Sequence, residues 1–178
     1  MKFCNYTVKE LNRIGINFGK NVCISNTIIF DNPQNIFIGD NTRIDSHCLL
    51  IAGKKSKLVV GKNVHISAGC YFYGSSGNIT IKDYSTISGR CTIYTANDDY
   101  TEGYMTNPQN INTNVTTGNI QILKNVIIGC NSVILPGVTL REGTSAGSFS
   151  LIKKSTKPFE VIAGIPAKRI KFRKRGHI

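Results

Sequence analysis

The sequence predicts an all-β fold, a parallel β-helix of about six coils with a long loop insertion and a short basic C-terminal tail. The first observation behind this prediction is that apolar residues recur at six-residue steps through most of the chain. An α-helix repeats near 3.6 residues and a strand near 2, so neither explains a step of six. A coil made of three short flat sides does explain it. The steps form six triples: Ile16/Val22/Ile28, Ile38/Ile44/Leu50, Val60/Ile66/Phe72, Ile81/Ile87/Ile93, Ile122/Ile128/Ile134 and Leu140/Ala146/Ile152.

A second register of small residues supports the same fold. Four positions after the apolar residues stand mostly short side chains, among them Thr42, Cys48, Ser85 and Cys91. In a narrow prism this position must turn a tight corner into the same interior, where only short side chains fit. A β-sandwich with regular turns is the alternative, but it would not keep two registers in phase across insertions.

The elements follow in chain order within a single domain, residues 1–178. In the lead-in, Val8 to Arg13 are expected to form one or two helical turns. A short helix is one option for the basic end of the tail. The boundaries are 1–15 for the lead-in, 16–157 for the β-helix with its loop at 94–121, and 158–178 for the C-terminal tail.

Composition excludes several classes of protein. No segment has the length and apolarity of a membrane span or the pattern of a signal peptide, so we predict a cytoplasmic, soluble protein. The six cysteines include no C-x-x-C pair, and three of them follow the small-residue register; we expect reduced core thiols. The three histidines lack a recognisable ligand spacing, and no metal is predicted.

The net charge of +12 is concentrated near the C-terminus, where nine cations fall within the last twenty-six residues. Such a run is either a solvated face or a docking site for phosphates or an acidic polymer. Nucleic acid is not predicted as a partner, because only Phe172 offers an interleaved ring on which a base could stack.

The loop at 94–121 is where we expect function. Long loops without their own periodicity are uncommon inside compact domains and are usually functional when present. This loop carries two neighbouring carboxylates, Asp98 and Asp99, as candidate catalytic groups. Tyr100 and Tyr104 are candidate rings for stacking on a sugar. The alternatives are a disordered insertion and aspartates that only cap a turn.

Three stretches of the chain resemble the left-handed β-helix acyltransferases, the hexapeptide-repeat family. They are the hexad repeat itself, the run N-V-I-I-G-C-N-S-V-I-L-P-G-V-T-L at residues 125–140, and P-F-E-V-I-A-G-I-P-A-K at 158–168. Within that superfamily they look like the galactoside, maltose and O-antigen sugar O-acetyltransferases. The segment I-Y-T-A-N-D-D-Y at 93–100 is similar to bacterial surface-polysaccharide acetyltransferases of this group.

The resemblance implies left-handed coils, a homotrimer with active sites in the clefts between neighbouring prisms, and acetyl-CoA lying along the late coils. Cationic side chains would hold the phosphates of CoA. Small residues would let the pantetheine arm lie close to the backbone, with their amides near the thioester carbonyl. The positions that carry over are Cys130, Gly147, Ser148, Lys153, Lys154, Lys168 and Lys171.

One departure from the family concerns the catalytic base. Galactoside- and maltose-type members carry a catalytic histidine where this chain has Asp98, and the loop contains no histidine. An unperturbed aspartate, with a pKa near 3.9, is a feeble base for a sugar hydroxyl. Three accounts stay open: Asp99 raises the pKa of one carboxylate, His65 or His47 approaches the cleft, or the acceptor is an amine. His65 is therefore grouped with the catalytic candidates, and His47 and Tyr73 with those that bind substrate.

The resulting function hypothesis is an acetyl-CoA-dependent O-acetyltransferase. It transfers acetyl directly to a sugar hydroxyl, in the synthesis of a surface polysaccharide. The alternative within the same family is an N-acetyltransferase acting on a nucleotide-linked amino sugar. A β-helix that serves only as a scaffold is the non-enzyme alternative.

Overall fold

The computed structural model describes residues 5–103 and 113–175. The lead-in forms helix α1, Val8–Ile14, where helical turns are expected. A capping box starts it: the Glu10 amide donates to the Thr7 hydroxyl, and the Thr7 amide donates to the Glu10 carboxylate at 2.7 Å. Gly15 ends the helix in the left-handed conformation, with φ 86°. The helix buries Leu11 in the core.

Three sheets of short strands form the sides of a triangular prism. Sheet 1 contains β1 (Asn17–Phe18), β4 (Ile36–Ile38), β7 (Leu58–Val60), β10 (Ile79–Ile81), β15 (Ile120–Ile122) and β18 (Thr139–Leu140). Sheet 2 contains β2 (Cys23–Ile24), β5 (Arg43–Ile44), β8 (His65–Ile66), β11 (Thr86–Ile87), β16 (Ile127–Ile128), β19 (Ser145–Ala146), β21 (Glu160–Ala163) and β22 (Lys168–Phe172). Sheet 3 contains β3 (Ile29–Asp31), β6 (Leu49–Ala52), β9 (Tyr71–Gly74), β12 (Thr92–Tyr94), β17 (Val133–Ile134) and β20 (Leu151–Ile152).

Successive coils pair strand upon strand in parallel, and this confirms the β-helix. Each coil visits sheets 1, 2 and 3 in turn, which gives six coils followed by β21 of a seventh. The apolar residues at hexad steps stack directly over one another: Ile44 pairs with Ile66, and Ile66 with Ile87. All three are at most 1 % exposed. An antiparallel hairpin, β13 (Ala96–Asp98) with β14 (Val115–Thr117), interrupts the coils after β12.

The predicted register of the first coil is wrong by two residues. Phe18 and Ile24 pair with Ile38 and Ile44, so the first triple is Phe18/Ile24/Phe30. The predicted residues Ile16, Val22 and Ile28 belong to the corner register instead. Both registers repeat at six residues, so the step alone cannot distinguish them. At the corner before sheet 3, the first coil carries Ile28 where the next two coils carry Cys48 and Cys70. The small side chain that marks this corner in the later coils is therefore missing from the first.

The corners explain the small residues and many of the glycines. The Cys70 thiol lies in the corner register and donates to the Ser88 carbonyl of the next coil at 3.2 Å. Gly39 has an ordinary backbone, but a Cβ atom there would lie 2.6 Å from the carbonyl carbon of Gly61. Glycine is therefore required by the close stacking of coils. Left-handed φ values fall two residues further on, as at Asn41 (φ 55°) and Asn63 (φ 54°).

The basic part of the tail is a strand, so the helical option for it is wrong. β22 pairs antiparallel with β21 and extends sheet 2 by one strand. Its residues Ile170 and Phe172 favour extended backbone, and the open edge of β21 offers hydrogen-bonding groups that a helix would leave unpaired. In the described residues, no helix is long and apolar enough to cross a membrane.

Candidate functional site

Two edges of sheet 3 carry the predicted site residues. The second corner is the turn from sheet 2 to sheet 3 and includes residues 45–48, 67–70, 88–91, 129–132 and 147–150. The third corner is the turn from sheet 3 to sheet 1, and the β13–β14 hairpin leaves the prism there, between residues 95 and 119. Because sheet 3 separates the two corners, residues at one corner lie across a full side of the prism from residues at the other.

The late coils of the second corner bring four predicted cofactor-binding residues together. Cys130 and Ser148 stack on adjacent coils, with 3.3 Å between the sulfur and the hydroxyl oxygen. Gly147 pairs with the coil that ends at Ala163, and a Cβ on Gly147 would lie 3.0 Å from the Ala163 side chain. Lys168 pairs with Ala163 at the same edge. The absence of bulk at Gly147 leaves the backbone of this corner accessible to a narrow ligand.

The amides of this corner do not share one role. The Gly147 amide donates to the Ile162 carbonyl at 2.8 Å, so it is not free to meet a thioester carbonyl as expected. The Gly147 amide belongs instead to the ladder of hydrogen bonds between adjacent coils. The Ser148 amide has no backbone acceptor within residues 5–103 and 113–175, and Ser148 is exposed. Of the two amides, only Ser148 remains a candidate donor.

The other three predicted cofactor-binding lysines lie elsewhere. Lys153 and Lys154 follow β20 and are therefore at the third corner, on the opposite edge of sheet 3. Lys171 lies on β22, paired with Val161 on the outer side of sheet 2. All three are exposed. One chain therefore does not gather the seven positions into a single pocket.

The hairpin presents the two predicted catalytic carboxylates differently. Asp98 ends β13 and lines the hairpin cleft, an open cavity of about 420 Å³ formed by Tyr94, Ala96, Asn97, Asp98, Val115 and Leu135. Asp98 is exposed and its carboxylate points to this space without a partner in the described residues. This is the arrangement expected of a carboxylate that meets a ligand.

Asp99 is instead committed to the shape of the hairpin. One carboxylate oxygen accepts hydrogen bonds from the Thr101 amide and hydroxyl, both at 2.9 Å, and from the Glu102 amide at 3.1 Å. The other accepts from the Asn114 side chain at 2.7 Å. The bonds from Thr101, above all from its amide, lower the pKa of Asp99. The suggestion that this pair of aspartates produces a carboxylate of raised pKa is therefore wrong for Asp99.

His65 lies on the outer face of sheet 2, on an early coil. Its Nε2 atom is 3.0 Å from the Asp45 carboxylate, and the other oxygen of that carboxylate accepts a bond from Arg43 Nε at 2.6 Å. The first interaction orients the imidazole, and the second raises the pKa of Arg43. Asp45 and Arg43 were not among the predicted site residues. An aspartate two positions after a basic residue on a strand is the only sequence signal that they carry.

His47 and Tyr73, both predicted to bind substrate, line a second cavity. This tyrosine cleft measures about 440 Å³ and is formed by Thr27, Ile29, His47, Cys48, Leu49, Tyr71 and Tyr73. Tyr73 stacks on Tyr94 with ring centroids 5.0 Å apart and planes 2° from parallel. Because Tyr94 lines the hairpin cleft, this stack joins the two cavities across the outer face of sheet 3.

The remaining predicted residues do not complete a pocket. Tyr100 is 80 % exposed on the hairpin, and Tyr104 lies outside the described residues. In residues 5–103 and 113–175 no group of three or more histidine, cysteine, aspartate or glutamate side chains could hold a metal ion.

Ser88 was missed as a candidate. It occupies the same position in the second corner as Gly129 and Gly147, since its amide donates to the Ile128 carbonyl and that of Gly129 to the Ala146 carbonyl. Its hydroxyl has no hydrogen-bond partner among the described residues. From the sequence it looks only like one more short corner residue.

Known proteins with this architecture identify the family. The chain is 41 % identical over 159 residues to the dTDP-4-amino-4,6-dideoxy-D-glucose acyltransferase of Escherichia coli, which covers 88 % of this chain and 82 % of that enzyme. AntD, an N-acyltransferase from Bacillus cereus in complex with dTDP and coenzyme A, superimposes with a TM-score of 0.91 at 37 % identity, covering 98 % of this chain and 93 % of AntD.

Two further observations come from these comparisons. Crystallised variants of AntD replace one serine and, ten positions further on, one aspartate. A maltose O-acetyltransferase from Clostridium difficile 630 shares only 22 % identity at a TM-score of 0.58, covering 94 % of this chain and 84 % of that enzyme, and shows the fold alone. No family model matches the chain. The long match to the Escherichia coli enzyme, together with the stacked hexads, makes this chain a member of the hexapeptide-repeat β-helix acyltransferases.

Proposed function

We propose that the chain is a coenzyme A-dependent N-acyltransferase that acylates the 4-amino group of a dTDP-linked 4-amino-4,6-dideoxy sugar. The observation that carries this proposal is the 41 % identity, across most of both chains, to an acyltransferase named for such a sugar. AntD, also an N-acyltransferase, matches nearly the whole chain. The O-acetyltransferase likeness is much weaker, at 22 % identity. Amine acylation, the alternative in the sequence analysis, therefore replaces hydroxyl acylation.

The chemistry agrees with the weak base in the hairpin. The neutral amine attacks the thioester carbonyl, a C–N bond forms, the C–S bond breaks, and the proton lost by the nitrogen ends on the departing thiol. An amine already has a basic lone pair, so it needs less help than a hydroxyl, whose proton must leave during attack. A carboxylate such as Asp98 is adequate for orienting an amine and accepting its proton transiently.

Asp98 and Ser88 are the two side chains that we assign to the reacting centre. They are ten residues apart, with the same residue types and spacing as the pair replaced in AntD. Asp98 lines an open cleft, and the Ser88 hydroxyl is not used by the described part of the fold. In this proposal Asp98 holds the amine, and Ser88 donates to the oxygen that develops negative charge during attack.

Coenzyme A would lie along the late coils of the second corner. Gly129 lets adjacent coils stack closely at this corner, since a Cβ there would lie 2.4 Å from the Ser148 nitrogen. Neither Gly129 nor Gly147 adds a side chain to the corner along which the pantetheine arm would run towards Ser88. Lys168 at this edge and Lys171 on β22 would meet phosphate oxygens by charge-assisted contacts. Lys153 and Lys154 would reach a coenzyme only from a neighbouring copy.

The site requires more than one copy of the chain. The hairpin with Asp98 leaves from the third corner, whereas Ser88, Gly129 and Gly147 lie at the second corner. Sheet 3 lies between them, and on the late coils its outer face carries the paired apolar residues Val133 and Leu151. We propose a homotrimer in which the hairpin of one copy reaches the second corner of the next.

Release of free coenzyme A thiol tests the proposal. We expect release from acetyl-CoA with dTDP-4-amino-4,6-dideoxyglucose and none with a panel of sugars that carry only hydroxyl groups. 3-Hydroxybutyryl-CoA, which AntD binds, is included as a second donor. Turnover of the hydroxyl panel with no turnover of the amino sugar would contradict the proposal. No binding of coenzyme A at all would restore the scaffold alternative.

A further inference from the structure

The tyrosine cleft has the chemistry of a site for a flat, weakly polar ring. Tyr71 is 42 % exposed and Ile29 65 % exposed at its rim. The ring of Tyr71 meets Tyr73 edge-on, with centroids 6.4 Å apart and planes at 72°. Tyr73 is itself held by its stack on Tyr94. Aromatic faces held in this way stack on nucleobases with little preference for which base is present.

The polar groups at the cleft favour a nucleotide over a purely apolar ligand. The His47 amide donates to the Thr27 hydroxyl at 2.9 Å, which leaves the His47 side chain exposed at the rim. Among the described residues, no carboxylate lines the cavity. The imidazole can therefore face the ribose or phosphate side of a bound nucleotide without a repelling acid nearby.

The position of the cleft along the prism fits the acceptor. The second corner carries the proposed coenzyme path on its late coils, which ends at Ser88 on the fourth coil. The tyrosine cleft lies beside the same corner on the first three coils, since Ile29, Leu49 and Tyr71 pair in sequence across sheet 3. Adjacent coils are about 4.8 Å apart, so the middle of the cleft is about 10 Å from the coil of Ser88. A diphosphate and one sugar ring can bridge such a gap.

We infer that the tyrosine cleft holds the pyrimidine base of the nucleotide-linked acceptor, with Tyr71 as the stacking ring and His47 at the rim. This inference rests on the proposed function and adds the direction from which each substrate enters. The coenzyme enters along the late coils and the nucleotide along the early coils, and their reactive ends meet near Ser88. In the proposed trimer a neighbouring copy would form the far wall of the cleft.

Calorimetric titration with dTDP, thymidine and coenzyme A tests the inference. We expect Tyr71→Ala to weaken both dTDP and thymidine by about ten-fold or more, as loss of a stacking ring does. Tyr71→Phe, which keeps the ring, should bind both as the wild type does. Coenzyme A affinity and the oligomeric state, measured by light scattering, should be the same in all three proteins.

A second variant covers the case in which Tyr71→Ala does not fold. His47 has a left-handed backbone with φ 59°, which asparagine tolerates, so His47→Asn removes only the imidazole. We expect weaker dTDP binding from it, with thymidine less affected.

Two results would overturn the inference. One is unchanged thymidine affinity in Tyr71→Ala. The other is a parallel loss of coenzyme affinity and of oligomeric state, which would show that the cleft is a contact between copies. Failure of the wild type to bind dTDP, together with no thiol release, would instead overturn the proposed function.

Discussion

Asp98 and Asp99 show how two adjacent and identical side chains acquire different roles. Both carboxylate oxygens of Asp99 accept hydrogen bonds, from Thr101, Glu102 and Asn114, and these bonds stabilise the hairpin. The Asp98 carboxylate accepts no hydrogen bond within the described residues, and Asp98 lines the hairpin cleft. Sequence position cannot separate them, because one peptide step along an extended strand turns a side chain to the opposite face.

Replacing Asp98 by Asn is expected to lower kcat by on the order of 10² to 10⁴, because the amide cannot accept the amine proton. Coenzyme A affinity should not change, since the proposed coenzyme contacts are with the late coils and β22 and do not include Asp98. Steady-state kinetics with the amino-sugar nucleotide and calorimetry with coenzyme A measure the two effects. A kcat within two-fold of wild type would remove Asp98 from the mechanism.

Asp99 has a pH dependence of definite sign. The pKa of Asp99 is lowered in the folded hairpin. Its contribution to the stability of the hairpin is therefore complete above the ordinary aspartate pKa of about 3.9, and it is lost as the pH falls through the lower pKa of the folded state. Hydrogen exchange of the Thr101 amide should therefore accelerate only in strongly acidic solution. Asp99→Asn serves as the control, because it should abolish the pH dependence; an unchanged profile in that variant would assign the effect to another group.

The thiols differ in reactivity according to their place in the prism. Cys48, Cys70 and Cys91 are buried, and hydrogen bonds with the Cys48 and Cys91 thiols, together with burial, raise the pKa of Cys70. Contacts with Cys70 lower the pKa of Cys48 and of Cys91, so it is burial, which keeps the reagent from the sulfur atoms, that should make all three resist an aromatic disulfide reagent in the native protein. Cys130 is partly exposed beside Ser148 and should react.

Coenzyme A should protect Cys130, because the proposed pantetheine path passes this corner. Peptide mapping after labelling, with and without coenzyme, measures the protection. Cys23, also partly exposed but on the first coil, is the internal control. Equal labelling of Cys130 in both samples would move the coenzyme away from the second corner.

The hairpin and the second corner are the two elements that carry the proposed catalytic residues. The corner is a product of repetition, since Ser88, Gly129 and Gly147 occupy one position on three successive coils. The hairpin is an interruption of that repetition, and its stem pairs only with itself through Ala96–Asp98 and Val115–Thr117. The coils below and above it pair directly, with Ile81 on Ile122, so the prism does not depend on it.

Removal of the hairpin tip should therefore separate folding from activity. We propose replacing residues 99–114 with Asn-Gly, a two-residue turn that joins the paired residues Asp98 and Val115 of the antiparallel stem. Circular dichroism and the melting temperature should match the wild type, and coenzyme A should still bind. Transfer to the amino sugar should fall, because the hydrogen bonds by which Asp99 holds the hairpin next to Asp98 are removed. Full activity in this variant would assign the acceptor site to the coils alone.

The whole molecule is a prism in which the proposed catalytic residues Asp98 and Ser88 lie at opposite edges of sheet 3. Such an arrangement is incomplete as a monomer, and burial of sheet 3 against a neighbour joins the edges while covering apolar surface. Three cations of the basic tail, Lys168, Arg169 and Lys171, lie exposed on β22 in sheet 2 and are therefore not on the face of sheet 3.

Complementation between inactive variants tests the shared site. Asp98→Asn damages the hairpin, and Ser148→Glu, at an exposed position, places a negative charge on the coenzyme corner. Each variant alone should be inactive, but co-expressed chains should regain about a quarter of wild-type activity, because a site then needs one intact hairpin and one intact corner from different copies. No recovery, with mixed oligomers verified by mass spectrometry, would place the site within a single chain.

Periodicity alone was sufficient for the fold. The hexads and the small corner residues are imposed by burial in a narrow prism. Burial acts on every coil alike, so it leaves a periodic signal in the sequence. The same signal identified the interruption at 94–121 and the free thiols. It failed in the first coil, where Val22 and Ile28 are large enough to look like side residues, and at β22, whose strand exists only because β21 offers it an open edge.

The candidate site could not be predicted from periodicity. Neighbours in space here are separated in the sequence by a coil of varying length, as Cys130 and Ser148 are. Which aspartate is free, which glycine amide is already bonded, and which lysines share an edge follow from hydrogen bonds and strand pairings between distant segments. These contacts have no period, so they became visible only when the coils were stacked.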